Sequence, residues 1–284
     1  MNESKIQAAD VAKDYYNSED ADNFYATIWG GEDIHVGIYE TENDKIFDAS
    51  KRTQERMLSH LGKISANDKV IDLGSGYGGA ARYLAKLFNC RVTALNLSDV
   101  ENKKARQLNK EKGYDNTIEV IDGYFEDIPF DDNSFDIAWS QDAFLHSPDR
   151  EQVIKEVSRI LKPGGKFIFT DPMQSDQCPE GVLDHILRRI HLSAFGSPGF
   201  YESEGAKNGL KMVKYEDLTI QLRNHYATVL KNTEKYEEQL VSTISSEYIA
   251  NMKSGLRHWV EGAEAGYLAW GIFYFVREIK PHSK

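Results

Sequence analysis

The chain has few cysteines, no long hydrophobic run and a deficit of basic residues, and each feature argues against a class of protein. Its two cysteines, Cys90 and Cys178, lie far apart without metal-ligand spacing, so we expect reduced thiols, a cytoplasmic protein and no metal site. No apolar run approaches the roughly 20 residues of a membrane-spanning helix, and the N-terminus lacks the apolar core of a signal peptide. Acidic residues outnumber basic ones by 45 to 34, which argues against a broad nucleic-acid-binding surface.

Length and composition favour one α/β unit with added helical segments. The chain has 284 residues, of which 40% are hydrophobic, and this is enough for a sizeable core. We predict an N-terminal helical cap over residues 1–64 and a ligand-binding domain over residues 65–284. Lid insertions are predicted at about 173–210 and 221–262 of that domain.

Residues 70–88, VIDLGSGYGGAARYLAKLF, form the most informative stretch. An apolar run that ends at Asp72 is followed by a glycine-rich turn and by apolar residues at helical spacing, so the pattern predicts a strand, a tight turn and a helix. The glycines of the turn are Gly74, Gly76, Gly78 and Gly79. Glycine permits positive φ and close approach of a ligand to the backbone. The stretch resembles motif I of class I S-adenosylmethionine (SAM) methyltransferases; a nicotinamide dinucleotide site and a turn without ligand are the alternatives.

The rest of the chain alternates between strand and helix patterns. Strands are predicted at 69–73, 91–98, 117–123, 135–141, 166–172, 212–220 and 266–279. Helices are predicted over about 43–61 and 99–112, and a third ends at Lys162, before Pro163. The predicted fold is α/β and Rossmann-like, as in class I methyltransferases. Its seven-stranded sheet is mostly parallel with one antiparallel edge strand, and the cap and lids cluster at the carboxyl edge of the sheet.

The ends of the first four predicted strands carry the expected cofactor residues. Asp72, Gly74, Ser75 and Gly76 would hold the methionine part of SAM. Asn96, followed by Leu97, stands where class I enzymes usually place an acid for the ribose, and an asparagine can also bond hydroxyls. Tyr124 and Phe125 would border the adenine, unless they are core aromatics. Gln141 completes the predicted set.

The segment WSQDAFLHSPD, residues 139–149, follows the fourth strand and would face the transferred methyl group. Asp142 and His146 are four positions apart, so one helical turn would place them on one face. An amine accepts a methyl group only through a free lone pair, so an ammonium must first lose its proton. His146 is the predicted acceptor, because its ordinary pKa lies near neutrality. The alternative is a histidine that only hydrogen-bonds within the turn.

Six segments together are similar to sarcosine/dimethylglycine N-methyltransferases. They are FYATIWGGEDIHVGIY (24–39), IDLGSGYGGAARYL (71–84), ALNLS (94–98), WSQDAFLHSPD (139–149), TDPM (170–173) and LRHWVEGAEAGYLAWG (256–271). The resemblance implies SAM-dependent methylation of sarcosine and dimethylglycine to glycine betaine by a monomer or homodimer. A more distant likeness to phosphoethanolamine methyltransferases implies that His146 pairs with Tyr16, or with Tyr15, of an N-terminal helix.

Such substrates set two requirements for the lids. A carboxylate needs a fixed guanidinium, for which Arg189 is the first candidate and Arg188 and Arg223 are the next. A methylated ammonium favours aromatic faces. The predicted cage residues are Tyr25, Trp29, Tyr201 and Tyr226; packing of the N-terminal rings onto the domain is the alternative for Tyr25 and Trp29.

Four other functions compete with this one. Phosphoethanolamine methylation would require a denser cluster of basic residues and tyrosines, and a sterol or fatty-acyl carbon methyltransferase would require a larger apolar tunnel. A SAM-binding regulator without turnover is the non-enzyme alternative. A nucleic-acid amino-methyltransferase is disfavoured, because the chain has SQDAFLH where those enzymes carry N/D-P-P-Y/F.

Overall fold

The computed structural model describes residues 19–29 and 32–279. Tyr16 and Tyr15 lie outside these residues. The strands are β1 (Lys69–Leu73), β2 (Arg91–Asn96), β3 (Ile118–Asp122), β4 (Phe135–Gln141), β5 (Leu161–Gln174), β6 (Leu210–Asp217) and β7 (Leu268–Arg277). The helices are α1 (Glu19–Ile28), α2 (Ile46–Leu61), α3 (Gly79–Phe88), α4 (Asp99–Glu111), α5 (Arg150–Ile160), α6 (Asp184–Arg189), α7 (Pro198–Lys207), α8 (Thr219–Lys235), α9 (Glu237–Leu240) and α10 (Ser246–Glu264).

The seven strands form one mixed sheet in the order β3-β2-β1-β4-β5-β7-β6. The pairs from β3 to β5 are parallel, whereas β7 runs antiparallel to both β5 and β6. The predicted fold class is confirmed, and the antiparallel strand lies between β5 and the edge strand β6. Chain order reverses at β1, which lies between β2 and β4, and ligands bind at such a switch point in open α/β sheets.

Several predicted boundaries differ from the structure, most of all at the start of β5. Helix α5 ends at Ile160 rather than at Lys162, and β5 already begins at Leu161. The reason is a register shift in which Phe135 pairs with Leu161 but Ile137 pairs with Lys166, so the proline-glycine turn is absorbed into the strand as an irregularity. Strand β6 spans Leu210–Asp217 instead of the predicted residues 212–220. It ends before Leu218, whose N–H donates to the Trp270 carbonyl oxygen.

Buried apolar residues cover both faces of the sheet. On one face of the sheet, Phe169 stacks on Phe273 with ring centroids 4.8 Å apart. On the other face, Val70 and Ile137 are buried under α2 and α3. These two layers make the sheet a rigid platform, because neither face is left open to water.

The N-terminal segment (residues 24–29 and 32–39) and the lid helices have a core of their own. Phe24 and Trp29 of the N-terminal segment pack with Val229 of α8 and Met252 of α10. A second cluster joins Val36 to residues of α6, α8 and β7, among them Ile186, Leu222 and Trp270. The three excursions from the α/β alternation therefore pack on one another beside the carboxyl ends of the central strands. In the described ranges no helix has the length and apolar character needed to cross a membrane.

Candidate active site

A cleft with about 840 Å³ of empty space opens at the carboxyl ends of β1, β2 and β4. This size suits a small organic ligand. Eight of the predicted cofactor residues line it: Asp72, Gly74, Ser75, Gly76, Asn96, Leu97, Phe125 and Gln141. Tyr124 is not among the lining residues, and its backbone pairs with Asp127 in an isolated bridge.

The glycine turn is shaped for close approach to the backbone. Gly74 and Gly76 have φ of 75° and 51°, values that side-chain-bearing residues rarely adopt. A Cβ on Gly74 would collide with Ala143, whereas a Cβ on Gly76 would point into open space. The backbone N–H groups of Gly74 and Ser75 both donate to the Leu95 carbonyl oxygen and fix the turn against β2. The open side of Gly76 is therefore where a ligand can lie against the main chain.

Three buried polar atoms around the glycine turn and the end of β4 have no hydrogen-bond partner among the described residues. They are Asp72 Oδ2, Ser75 Oγ and Gln141 Nε2. Burial of an unpaired polar atom costs about 1–3 kcal/mol, so these atoms are expected to be satisfied by a polar ligand. Together they offer a carboxyl oxygen, a hydroxyl that can donate or accept and an amide donor around the glycine turn, which fits the amino-acid end of a ligand.

Asp72 shares its end of the cleft with a second acid. The pKa of the Asp72 carboxyl is raised to about 7 by burial and by the nearby charge of Asp33. Asp33 comes from the N-terminal segment, where Gln54 Nε2 donates to its Oδ1 at 2.8 Å. Gly79, at the start of α3, makes room for the Asp33 carboxylate, because a Cβ at this position would collide with it. A cationic ligand group between the two acids would relieve their repulsion.

The predicted ribose position is occupied by a pair of side chains. Asn96 Nδ2 donates to Glu101 Oε2 at 2.9 Å, and both residues line the cleft. The carboxylate that is missing at the strand end is thus supplied by Glu101 from the first turn of α4. Sequence reasoning did not identify Glu101, although the Ser98-x-x-Glu101 capping pattern marks it as the residue that faces back toward the helix start.

A second cavity, with about 690 Å³ of empty space, lies under the N-terminal segment and the lid helices. Four of the predicted substrate residues line it: Tyr25, Trp29, Arg189 and Tyr226. The sequence-based site lacked His225 and Trp259, which line it as well. Tyr226 stacks on Trp259 with centroids 4.8 Å apart, and Tyr25 meets Trp29 edge-on at 5.0 Å. The walls are thus rich in π-faces, which attract cations.

Arg189 is the one arginine that lines this cavity, within residues 19–29 and 32–279. Its guanidinium packs against Gly255, where any Cβ would collide with it, and its Nη2 lies 2.9 Å from the Met252 sulfur. The described part of the chain gives it no ion pair with an acid. A guanidinium held among apolar groups without a carboxylate is a ready site for an anionic ligand.

Three other predicted residues lie away from both cavities. Tyr201 is fully buried, donates to Asp171 Oδ2 at 2.6 Å and packs edge-on against Phe169, so the core rather than a cage accounts for it. Arg188 is exposed and donates to the Asp184 carbonyl oxygen. Arg223 pairs with Glu264 on the surface. The structure therefore separates Arg189 from the other two arginines considered.

The two cavities meet at four shared residues: Ile34, His35, Asp142 and His146. Asp142 is held at φ 51°. Its Oδ2 accepts from the Val36 backbone N–H at 2.6 Å, and its Oδ1 accepts from Trp270 Nε1 at 2.7 Å. Burial raises the Asp142 pKa. Both oxygens are occupied by N–H donors, so this geometry gives Asp142 a positioning role for the N-terminal segment.

His146 ends the short 3₁₀ turn Phe144–His146 at the same junction. Burial and the neighbouring charge of Arg150 lower its pKa to about 4. The imidazole is therefore neutral at physiological pH. Its predicted partner Tyr16 lies outside the described residues, so the pairing stays a prediction.

His35 is the junction residue that sequence reasoning missed. It is 6% exposed, and its Nε2 has no hydrogen-bond partner in the part of the chain that the structure describes. The only signal was its place in the segment 24–39, between Gly31 and Gly37. Nothing in local periodicity indicates that this segment returns to the end of β4.

The sheet order, the glycine cleft and the second cavity at its mouth define a methyltransferase of the Rossmann-like class. A family model described as a methyltransferase domain matches residues 71–169, which cover β1 to most of β5.

Full-length relatives narrow the family further. The chain is 56% identical over 269 residues to a sarcosine/dimethylglycine N-methyltransferase of Halorhodospira halochloris, covering 95% of this chain and 96% of that protein. It is 49% identical to a protein of the same name from Aphanothece halophytica, with 94% and 96% covered. A crystal structure from Galdieria sulphuraria, assigned as a sarcosine dimethylglycine methyltransferase, superposes with a TM-score of 0.89 at 43% identity, covering 94% of this chain and all of that one. The chain belongs to the sarcosine/dimethylglycine N-methyltransferase family.

Proposed function

We propose that this protein transfers methyl groups from SAM to the nitrogen of sarcosine and dimethylglycine and so forms glycine betaine. The observation that carries the proposal is the meeting of two unlike cavities at one junction. Among the described residues, one cavity has a glycine turn with unpaired buried polar atoms, and the other has aromatic walls and a single arginine without an acidic partner. Methyl transfer requires this arrangement, because donor and acceptor must meet in line and away from water.

The first cleft is proposed to hold the cofactor. Asp72, with Asp33 beside it, would hold the cofactor's amino group, and Ser75 and Gln141 would bond its carboxylate end. Gly74 and Gly76 would admit it to the backbone, Asn96 and Glu101 would bond the ribose, and Leu97 and Phe125 would flank the base. SAM, when bound, supplies an electrophilic methyl group on a sulfonium sulfur.

The second cavity is proposed to hold the amino acid. Arg189 would bind its carboxylate, because no acid competes for the guanidinium within the described ranges. Tyr25, Trp29 and Tyr226 would face its alkylated nitrogen. Trp29 Nε1 is buried without a partner among the described residues, so a further N–H donor is available to the carboxylate. The described lining contains one arginine and no lysine, which favours a carboxylate over a phosphate monoester.

At the junction, Asp142 is proposed to position the N-terminal segment over both ligands, and His146 to accept a hydrogen bond as a neutral imidazole. A pairing of His146 with Tyr16 is kept as part of this proposal. We keep the division into a cap of residues 1–64 and a domain of residues 65–284 with two lids, in which apolar residues of the cap pack with both lids. The cytoplasmic location likewise stays a proposal.

The test is a methyl-transfer assay with labelled SAM. Purified protein should label sarcosine and dimethylglycine, and the final product should be glycine betaine by mass spectrometry. Phosphoethanolamine serves as the competing substrate. Label transfer to phosphoethanolamine alone would replace the proposed substrate, and binding of SAM without transfer to any amine would leave a regulator.

A further inference from the structure

His35 combines burial, an unpaired nitrogen and a place in both cavities. Its Nδ1 lies 3.2 Å from the Val36 carbonyl oxygen. A carbonyl oxygen only accepts, so this contact places the proton on Nδ1 and leaves a lone pair on Nε2. That Nε2 is buried without a partner in residues 19–29 and 32–279. An unpaired acceptor therefore stands at the junction where a substrate N–H must be lost.

Two carboxyl groups lie near the His35 ring. Asp33 Oδ1 lies 3.9 Å from His35 Nε2, and the buried carboxylate of Asp142 interacts electrostatically with the same ring. The third titratable neighbour is His225, whose pKa is lowered to about 3 by burial and by His35, so it remains neutral. Two carboxyl groups and a neutral ring thus face the imidazole.

The other histidine at the junction has the opposite environment. Arg150 and burial both disfavour a proton on His146, and its pKa of about 4 lies far below that of an alkylammonium ion, about 10. A base so much weaker than the amine holds the transferred proton poorly. The predicted role of His146 as the proton acceptor is therefore less well supported than a hydrogen-bonding role.

We propose that His35 is the general base of the methyl transfer, taking the proton of the substrate ammonium on Nε2. This inference rests on the proposed function. The substrate N–H bond breaks, its electron pair stays on nitrogen, and an Nε2–H bond forms on His35. The freed pair forms the new N–C bond to the methyl group, while the pair of the broken C–S bond stays on sulfur. Asp33 and Asp142 stabilise the imidazolium until its proton passes to water.

The experiment compares His35→Asn with the matched variant His191→Asn. His191 is exposed, lines neither cavity and has φ 57°, a conformation that asparagine tolerates. With saturating SAM, His35→Asn should lower turnover of dimethylglycine at least about 100-fold at pH 7. The residual rate should rise about tenfold per pH unit, because only amine that is already deprotonated then reacts. His191→Asn should keep the wild-type rate and profile.

A second variant covers the case in which His35→Asn does not fold. Asp33→Asn can still accept from Gln54 but no longer stabilises the imidazolium. The acidic limb of the kcat–pH profile should therefore move to lower pH, with a lower plateau. Circular dichroism and calorimetry with S-adenosylhomocysteine check folding and cofactor binding in each variant.

Several results would overturn the inference. One is a His35→Asn enzyme with the wild-type rate and pH profile. Another is a loss of S-adenosylhomocysteine affinity as large as the loss of turnover, since His35 would then position the cofactor. An unmoved acidic limb in Asp33→Asn also contradicts it. Each of these comparisons assumes that the wild-type enzyme is active. If the wild type labels neither sarcosine nor dimethylglycine, the proposed function itself is wrong.

Discussion

The carboxylate of Asp142 accepts the backbone N–H of Val36 at 2.6 Å, across 106 positions of the chain. The contact joins the end of β4 to the N-terminal segment that carries His35. It is buried, and the other oxygen of Asp142 bonds Trp270, so one side chain holds three parts of the fold in register. A small shift of this segment would move the wall that the two cavities share.

Asp142→Asn is expected to loosen that segment. Asparagine tolerates the left-handed backbone at this position, but its NH₂ group cannot accept from an N–H donor, so one of the two bonds is lost. Turnover should fall at least about tenfold, because misplacement near the reacting atoms is costly, and limited proteolysis should cut the N-terminal segment faster. Trp270→Phe, which keeps the bond to Val36, should leave the cleavage rate near that of wild type; equal protection of Asp142→Asn and wild type would contradict this role.

Gly76→Val should abolish binding of S-adenosylhomocysteine. The added side chain would occupy the open space beside the glycine turn and would be strained at φ 51°. Gly113→Val is the matched control, because Gly113 has φ 76°, meets nothing within 4 Å of an added Cβ and lies on the surface. Calorimetry should show binding lost in the first variant and kept in the second. Retained affinity in Gly76→Val would place the cofactor elsewhere.

Cofactor affinity should depend on the ionisation of Asp72. Its pKa is raised to about 7 in the ligand-free protein, so the carboxyl is largely neutral below pH 7 and charged above it. Because the charged form holds an ammonium better, S-adenosylhomocysteine should bind about tenfold more tightly at pH 8 than at pH 6. Asp72→Asn should bind more weakly and without this pH dependence. A wild-type affinity that falls with rising pH would contradict the assignment.

Arg189→Ala should weaken the amino-acid substrate selectively. Loss of a charge-assisted contact to the carboxylate should raise KM for dimethylglycine about 10- to 100-fold, while S-adenosylhomocysteine affinity stays unchanged. Arg188→Ala removes the neighbouring exposed guanidinium and should change neither quantity. An unaltered KM in Arg189→Ala would mean that another donor binds the substrate carboxylate, and Trp29 Nε1 is the next candidate.

Tyr201→Phe should cost stability and spare substrate binding. The hydroxyl donates to the buried Asp171, whose pKa is raised to about 7 by burial. Removing the donor leaves an acceptor unpaired in the core, so the free energy of unfolding should fall by about 1–3 kcal/mol. Denaturant titration measures this loss. A raised KM for dimethylglycine with unchanged stability would instead indicate that Tyr201 contacts the substrate, as the sequence predicted.

The local elements were predictable because their signals lie within a few residues of each other. Lys69–Leu73 and Phe135–Gln141 have the predicted bounds, since each is a short apolar run bounded by polar or glycine residues. The glycine turn needed no tertiary information either, because its conformation excludes most other residue types. By contrast, the end of α5 was placed two residues late, since the register shift against β4 depends on a strand 26 positions away.

The polar residues predicted at the strand ends line one cleft, whereas residues that separate segments contribute to the site were not predicted. Parallel strands end at one edge, so eight cofactor candidates could be expected in one cleft from sequence alone. Tyr201 was predicted as a cage residue because an aromatic residue in a lid resembles one until its core contacts are known. Asp33 and His35 were missed because no local pattern brings their segment to the glycine turn.

The sequence by itself determined the α/β alternation, the glycine turn and the family resemblance, because these depend on residue types at short and fixed spacing. Only the tertiary structure decided which arginine faces the second cavity, which acids share the cleft and which histidine stands between two carboxylates. Those relationships arise between segments tens to hundreds of positions apart. Their geometry is set by packing and burial, and burial also sets the charge state of each group.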